Sequence, residues 1–169
     1  MQLKHLNSSF SEFNFEIILL CDGVNSPANM GSLLRVADSF GVKKVLFSKV
    51  IINIESSRLK RTARSTQKWV AIESNVDAQL VLKDYLDKGF VPVALEITET
   101  SIPLEKINFS DLEKVLLIIG DESSGVSDSI LKACKFQTHI TMFGKNSSMN
   151  VSQATAVALY EITKQFNNE

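Results

Sequence analysis

Ser147-Ser148-Met149-Asn150-Val151-Ser152-Gln153-Ala154 crowds small hydroxyl and amide groups where a long amphipathic helix should begin. Such a run makes poor core. At a helix N-terminus, where backbone N–H groups are unspent and the partial charge is positive, it suits a polar cleft for anions and carboxylates. Two other stretches carry similar chemistry. Between Asp22 and Ala37, Pro27 fixes a loop and removes a donor, Asn29 stands where a helix N-cap is expected, and Arg35 follows six residues later, inside the helix. An arginine among Leu33, Leu34, Val36 and Ala37 either snorkels to solvent or has a partner to grip. Between Ile119 and Ser127, Gly120 allows a ligand close to the backbone and Glu122 supplies an acid. The same residues also fit a solvated turn, with Ser127 capping a short helix at Ile130 and Leu131.

These three stretches need a scaffold that brings their loops together. Short Val- and Ile-rich runs recur at Phe15–Leu20, Val45–Phe47, Val70–Ile72, Val91–Leu95, Val115–Ile119 and His139–Met142, too short for helices, and they read as buried strands. Met30, Leu33, Leu34, Ala37 and Phe40 share a helical face, and Val76, Leu80 and Tyr85 suggest another helix before Gly89. A last helix is expected from Val151 to Phe166, packed through Val151, Ala154 or Thr155, Ala158 and Ile162, with Asn167-Asn168-Glu169 fraying. Alternating strands and helices predict an α/β fold, a mainly parallel sheet covered on both faces. Ligands of such sheets bind beyond the carboxyl ends of strands, and the loops after Leu20, Ile119 and Met142 are three such ends.

The chain has 169 residues, 44% of them hydrophobic, enough for one core, so residues 1–169 are expected to form a single domain with its motif-bearing core at about 16–165. No apolar run is long enough for a membrane span, and Met1-Gln2-Leu3-Lys4-His5 has no signal-peptide core after it, which points to the cytoplasm. Cys21, Cys134, His5 and His139 have no metal-ligand spacing, so no metal is expected and both cysteines read as buried thiols. The net charge of −1 hides polarity: 11 basic and 7 acidic side chains in residues 1–83, 3 and 10 in 84–128, and 4 and 2 in 129–169. A polyanion senses that distribution rather than its sum. Arg58, Lys60, Arg61, Arg64 and Lys68 fall in one acid-free run that ends at Trp69, with Arg61 and Arg64 expected one helical turn apart. A solvated helix face explains such a run as well as RNA phosphate contacts do.

Together the three polar stretches resemble the three motifs of the SpoU (TrmH) family of RNA 2′-O-ribose methyltransferases, in the SPOUT superfamily. The third motif, Ile140, Met142 and Gly144 with Ser148, Met149 and Asn150, is similar to the family's IPM…SLNVS.A pattern, with Thr141 for Pro and Met149 for Leu. In the second, Ser123 or Ser124 stands where relatives often have Gly. The resemblance implies a C-terminal deep trefoil knot, S-adenosylmethionine bound bent within it, and a homodimer that joins the first and last helices and completes the site. It assigns catalysis to Asn29, Arg35, Glu122, Ser148 and Asn150, and cofactor binding to Leu95, Gly120, Ile140 and Met149. The basic run resembles the R..A..S..W stretch of tRNA-directed relatives. This and the roughly fifteen residues before the first strand favour tRNA over rRNA, and the stretch up to Trp69 favours a D-loop guanosine over the wobble nucleotide, although compact wobble-modifying relatives also lack extensions. A catalytically idle RNA-binding module of the same fold stays open, as does a flavodoxin-like nucleotide regulator. The first should have lost Arg35, Glu122 or Asn150, and the second should carry a phosphate-cradling Gly-rich loop.

Overall fold

The computed structural model describes residues 15–166; Met1–His5 and the expected fraying at 167–169 lie outside them. In chain order the described elements are β1 (Glu16–Asp22), α1 (Pro27–Ser39), β2 (Lys44–Ser48), α2 (Ser57–Ala63), β3 (Ala71–Val76), α3 (Ala78–Asp87), β4 (Val91–Leu95), β5 (Ile102–Pro103), β6 (Lys114–Gly120), α4 (Asp128–Leu131), β7 (Phe136–His139) and α5 (Val151–Phe166). Every pairing between these strands is parallel, in the order β3-β2-β1-β6-β4-β7-β5. Successive strand residues point to opposite faces, so the central strands split between two cores. Ile17, Leu19, Cys21, Val45, Phe47, Val115, Leu117 and Ile119 pack on the side of α1, α2 and α5. Ile18, Leu20, Leu46, Leu116 and Ile118 pack on the side of α3 and α4.

α1 buries Met30, Leu33, Leu34 and Ala37, as their spacing predicts. Gly31 lets α1 lie on α2, since a Cβ there would sit 2.4 Å from the Leu59 carbonyl oxygen. The helix starts earlier than expected: Ser26 is its N-cap, Pro27 opens its first turn, and Asn29 is an internal residue rather than the cap. A first-turn proline needs no N–H, which makes Pro27 the true start signal. α3 begins at Ala78, with Asp77 accepting from the N–H groups of Gln79 and Leu80, so Val76 belongs to β3. β7 covers Phe136–His139, and Ile140–Met142 leave the sheet. α5 begins and ends where its periodicity predicts, with Val151, Thr155, Ala158, Leu159 and Ile162 buried. Among the described residues no helix is long and apolar enough to cross a membrane.

Candidate active site

Parallel register brings the carboxyl ends of β1, β2 and β6 side by side, Asp22 pairing with Ser48 on one flank and Gly120 on the other. Asp22 is 1% exposed and ties the emerging loops together. Its Oδ1 accepts from Ser48 Oγ and Lys49 Nζ, both at 2.8 Å. Its Oδ2 accepts from the Ser127 N–H at 2.9 Å and the Ser127 hydroxyl at 2.5 Å. Burial alone would raise this carboxyl's pKa, but the bonds from Lys49, Ser127 and Ser48 outweigh it and hold the group below the ordinary carboxylate value. Ser127 does occupy the N-cap position of α4, yet its hydroxyl turns to Asp22 and makes no side-chain cap bond.

The loop after β6 is folded tightly on itself. Asp121 Oδ1 accepts from the N–H groups of Ser124 (3.0 Å) and Ser123 (2.5 Å) and from the Ser123 hydroxyl (2.8 Å), which lowers its pKa to about 2. Gly120 is required because a Cβ there would lie 2.0 Å from the Gly125 carbonyl carbon. Gly125 has φ +64°, and a Cβ on it would lie 2.5 Å from Glu96 Oε2. Glu96, just beyond β4, stitches two loops together: its carboxylate accepts from the Ile97 N–H at 3.1 Å and the Val126 N–H at 3.0 Å.

Three motif residues meet at one carboxylate oxygen. Glu122 Oε1 accepts from Asn29 Nδ2 at 3.2 Å and from Asn150 Nδ2 at 2.9 Å, and Asn150 Nδ2 also donates to Asn29 Oδ1 at 3.0 Å. Asn150 is held by its second role as the cap of α5, its Oδ1 accepting from the Ser152 N–H at 3.0 Å and the Ser152 hydroxyl at 2.6 Å. Asn29 is presented from the first turn of α1, Glu122 from the loop after β6 and Asn150 from the start of α5.

Glu122 and Asn150 face a cleft of about 1150 Å³ with walls from 95–98, 119–126, 128, 131, 139–140, 142, 146–151 and 153–154. Leu95, Gly120, Ile140, Met149 and Ser148 line it too, so the expected cofactor residues come together with three of the expected catalytic ones. The lining combines Leu95, Ile119, Ile140, Met142 and Met149 with exposed loop backbone and the carboxylates Glu96, Asp121, Glu122 and Asp128, and it includes no Lys or Arg. Its volume lies somewhat above the range of about 300–1,000 Å³ usual for ligand pockets. Apolar walls suit a purine, and carboxylates suit a sulfonium and an ammonium, so the residues fit the methyl donor that the motifs imply.

Arg35 is elsewhere. Six residues along a helix is about 600° of rotation and about 9 Å of rise, so Arg35 leaves α1 on a different side from Asn29. It shares a smaller hollow of about 470 Å³ with Ser32, Val36, Ser39, Phe40, Arg61, Thr62 and Arg64. α2 ends at Ala63, and Arg64 and Ser65 take left-handed conformations, so Arg61 and Arg64 do not stack on one continuous helical turn; the chain reversal still delivers both to the hollow. Arg58 and Lys68 are exposed on the same run, Lys60 is paired with Glu55, and Trp69 is 70% exposed. Cys21 is buried and Cys134 half-buried, and burial pushes the Cys134 thiol up to about 12.

Asp22 and Glu96 organise the site, and neither belongs to the constellation expected from the sequence. Asp22 did leave a signal, a lone acid closing the apolar run of β1, whereas Glu96 lies in no motif and only the fold puts it against Val126.

The model of the SpoU rRNA methylase family matches residues 16–160. The chain is 28% identical to a tRNA (guanosine(18)-2′-O)-methyltransferase of Aquifex aeolicus over 97% of its own length and 76% of that enzyme's. It is 30% identical to a 23S rRNA (guanosine-2′-O-)-methyltransferase of Pseudomonas aeruginosa, covering 88% of this chain and 59% of that one. Its fold matches the crystal structure of the A. aeolicus TrmH/SpoU tRNA modifying enzyme with a TM-score of 0.78 at 26% identity, over 90% of this chain and 76% of the other.

Proposed function

The chain belongs to the SpoU rRNA methylase family, and from that premise we propose that it methylates a ribose 2′-oxygen in tRNA with S-adenosylmethionine, a D-loop guanosine being favoured over the wobble nucleotide. The observation that carries this reading is the meeting of Asn29, Glu122 and Asn150 at the wall of a cleft whose carboxylates complement the donor's positive charge. The tRNA (guanosine(18)-2′-O)-methyltransferase of A. aeolicus supports the choice of RNA. The 30% identity to the P. aeruginosa enzyme favours 23S rRNA as the second reading.

The donor supplies a positively charged sulfonium, whose leaving-group character drives transfer, so the protein's task is orientation. Glu122, fixed between two carboxamides, and Asn150, fixed by Ser152, hold the reacting groups in register. Leu95, Gly120, Ile140 and Met149 would hold the donor's adenosine, and Ser148 would shape the acceptor side. The 2′-hydroxyl would release its proton to a phosphate oxygen or water as it accepts the methyl group that the donor supplies. Arg35 is no general base, because a guanidinium keeps its proton to a pKa above about 12; it grips an RNA phosphate and steadies the developing alkoxide.

Since Arg35 stands apart from the cleft of its own chain, the reading includes a homodimer in which α1 and α5 meet and one subunit's Arg35 serves its partner's cleft. Exposed Val157 and Tyr160 on α5 are apolar surface available for that contact. It also includes the trefoil knot, supported by the chain's path from β7, outside β4, back to α5 on α1 and β6. The chain is read as one cytoplasmic domain that works without a metal. The test is incubation of the purified protein with isotopically labelled S-adenosylmethionine and unmodified tRNA or rRNA, followed by mass-spectrometric mapping. Label on a D-loop guanosine ribose is expected. Label on the wobble ribose or on rRNA moves the substrate, and no label despite S-adenosylhomocysteine binding by calorimetry leaves the idle module.

A further inference from the structure

The segment between β7 and α5 serves the cleft unevenly. Ile140, Met142 and 146–150 line it, while Phe143, Gly144 and Lys145 project from its rim. Phe143 is 97% exposed, beyond any other large hydrophobic residue described. Lys145, Asn146, Ser147 and Ser148 are exposed as well, and none of the five side chains makes a hydrogen bond or ion pair among the described residues. The contrast with the neighbouring walls is physical: Glu96, Asp121, Glu122 and Asn150 each have at least one side-chain polar atom hydrogen-bonded within the fold. An unsheltered ring beside an unpaired cation, an amide and two hydroxyls is the equipment that recognises unstacked RNA, with one flat surface for a base, one charge for a phosphate and short donors for sugar and base edges.

We propose that this tip is a base-binding finger: Phe143 stacks on an unpaired nucleobase at the target, and Lys145 takes an adjoining phosphate, so that the acceptor ribose is held at the cleft mouth. The inference rests on the RNA-methyltransferase reading and adds a residue that touches the base. The apolar ring and the cation fit a single-stranded loop better than a duplex, whose bases offer no open face.

The test compares wild type, Phe143→Ala, Phe143→Leu and Phe143→Trp with an unmodified tRNA transcript and with S-adenosylhomocysteine. Stacking is worth roughly 5- to 150-fold in affinity per base, so Phe143→Ala and Phe143→Leu should raise the RNA KM by about tenfold while cofactor affinity, thermal midpoint and sedimentation stay at wild-type values. Phe143→Trp should retain activity, and its emission should be quenched by RNA but not by S-adenosylhomocysteine, with Phe143→Trp/Trp69→Phe isolating that signal. Leucine restoring full RNA affinity, or alanine leaving it unchanged, overturns the finger and spares the methyltransferase reading. Loss of dimer in Phe143→Ala makes the ring a protein contact and also overturns it. Failure of the wild type to bind any tRNA or rRNA transcript overturns both.

Discussion

The cleft and the hollow, both reached from α1, are built on opposite principles. In the cleft, carboxylates face neutral donors at hydrogen-bonding distance, and Glu122, Asp121 and Glu96 are each pinned by amides from other positions in the fold. In the hollow, Arg35, Arg61 and Arg64 lie together and none of them has a carboxylate partner among the described residues. A pinned carboxylate fixes a small ligand in one orientation, whereas a cluster of long cations attracts a polyanion from a distance without fixing its register. On the proposed reading the donor and the RNA ask for different surfaces, and within one chain Arg35 and Glu122 line different depressions.

The sharpest way to break this comparison is Arg35→Ala. Removing a transition-state donor costs about 10²–10³ in turnover, and methyl transfer should fall by at least that much while calorimetry with S-adenosylhomocysteine gives the parent affinity. Mixing Arg35→Ala with Asn150→Ala chains adds the decisive arm. If the arginine serves the partner's cleft, mixed dimers carry one intact site and recover activity; if it serves its own, the mixture stays dead. Unchanged turnover in Arg35→Ala removes it from the mechanism.

Neutralising Arg61 and Arg64 as Gln tests the same division with a smaller effect. Each phosphate contact contributes close to one unit to the salt slope of RNA binding, so the double variant should lose roughly 1.5 to 2 units of slope and bind about ten- to a hundredfold more weakly at low salt. Cofactor affinity should not move. A parental slope would return the run to a solvated helix face.

The two regions also differ in how readily the sequence discloses them. Helical spacing placed Met30, Leu33, Leu34 and Ala37 inward, and the β-branched runs located β1, β2, β4 and β6, because burial on one face leaves a period in a helix and burial on both faces leaves an unbroken apolar run in a strand. The cleft was legible since its motifs follow strand ends. Its wiring was not: Asp22 and Glu96 reach their partners Ser127 and Val126 across 105 and 30 residues. The run His139–Met142 read as a strand because it is apolar, yet Ile140 and Met142 are apolar in order to face the cleft. Local pattern records which side of an element is dry, and it does not record whether a neighbouring strand or a ligand pocket lies there. The hollow was the least legible part, depending on a left-handed turn at Arg64 and Ser65 that neither residue type signals.

The smallest effect concerns the floor beneath the cleft. Asp22 has a folded pKa below its unfolded one, so its contribution to stability is fully present above the unfolded value, near 3.9, and is lost as pH falls through the folded value. Protonation would release Lys49 and leave Ser127 and Ser48 facing a weaker acceptor. Asp22→Asn imitates that state at neutral pH, and losing charge-assisted bonds should cost about 1–2 kcal/mol, or roughly 3–6 °C of thermal midpoint. Because Asp22 anchors the loop that carries Glu122 and Ser127, S-adenosylhomocysteine affinity should drop a few-fold in the variant, while RNA binding through the hollow keeps its salt slope. A wild-type protein that melts at the same temperature from pH 7 down to pH 3 would contradict the stabilising role of the carboxylate. Equal weakening of cofactor and RNA binding by Asp22→Asn would show that cleft and hollow share one support.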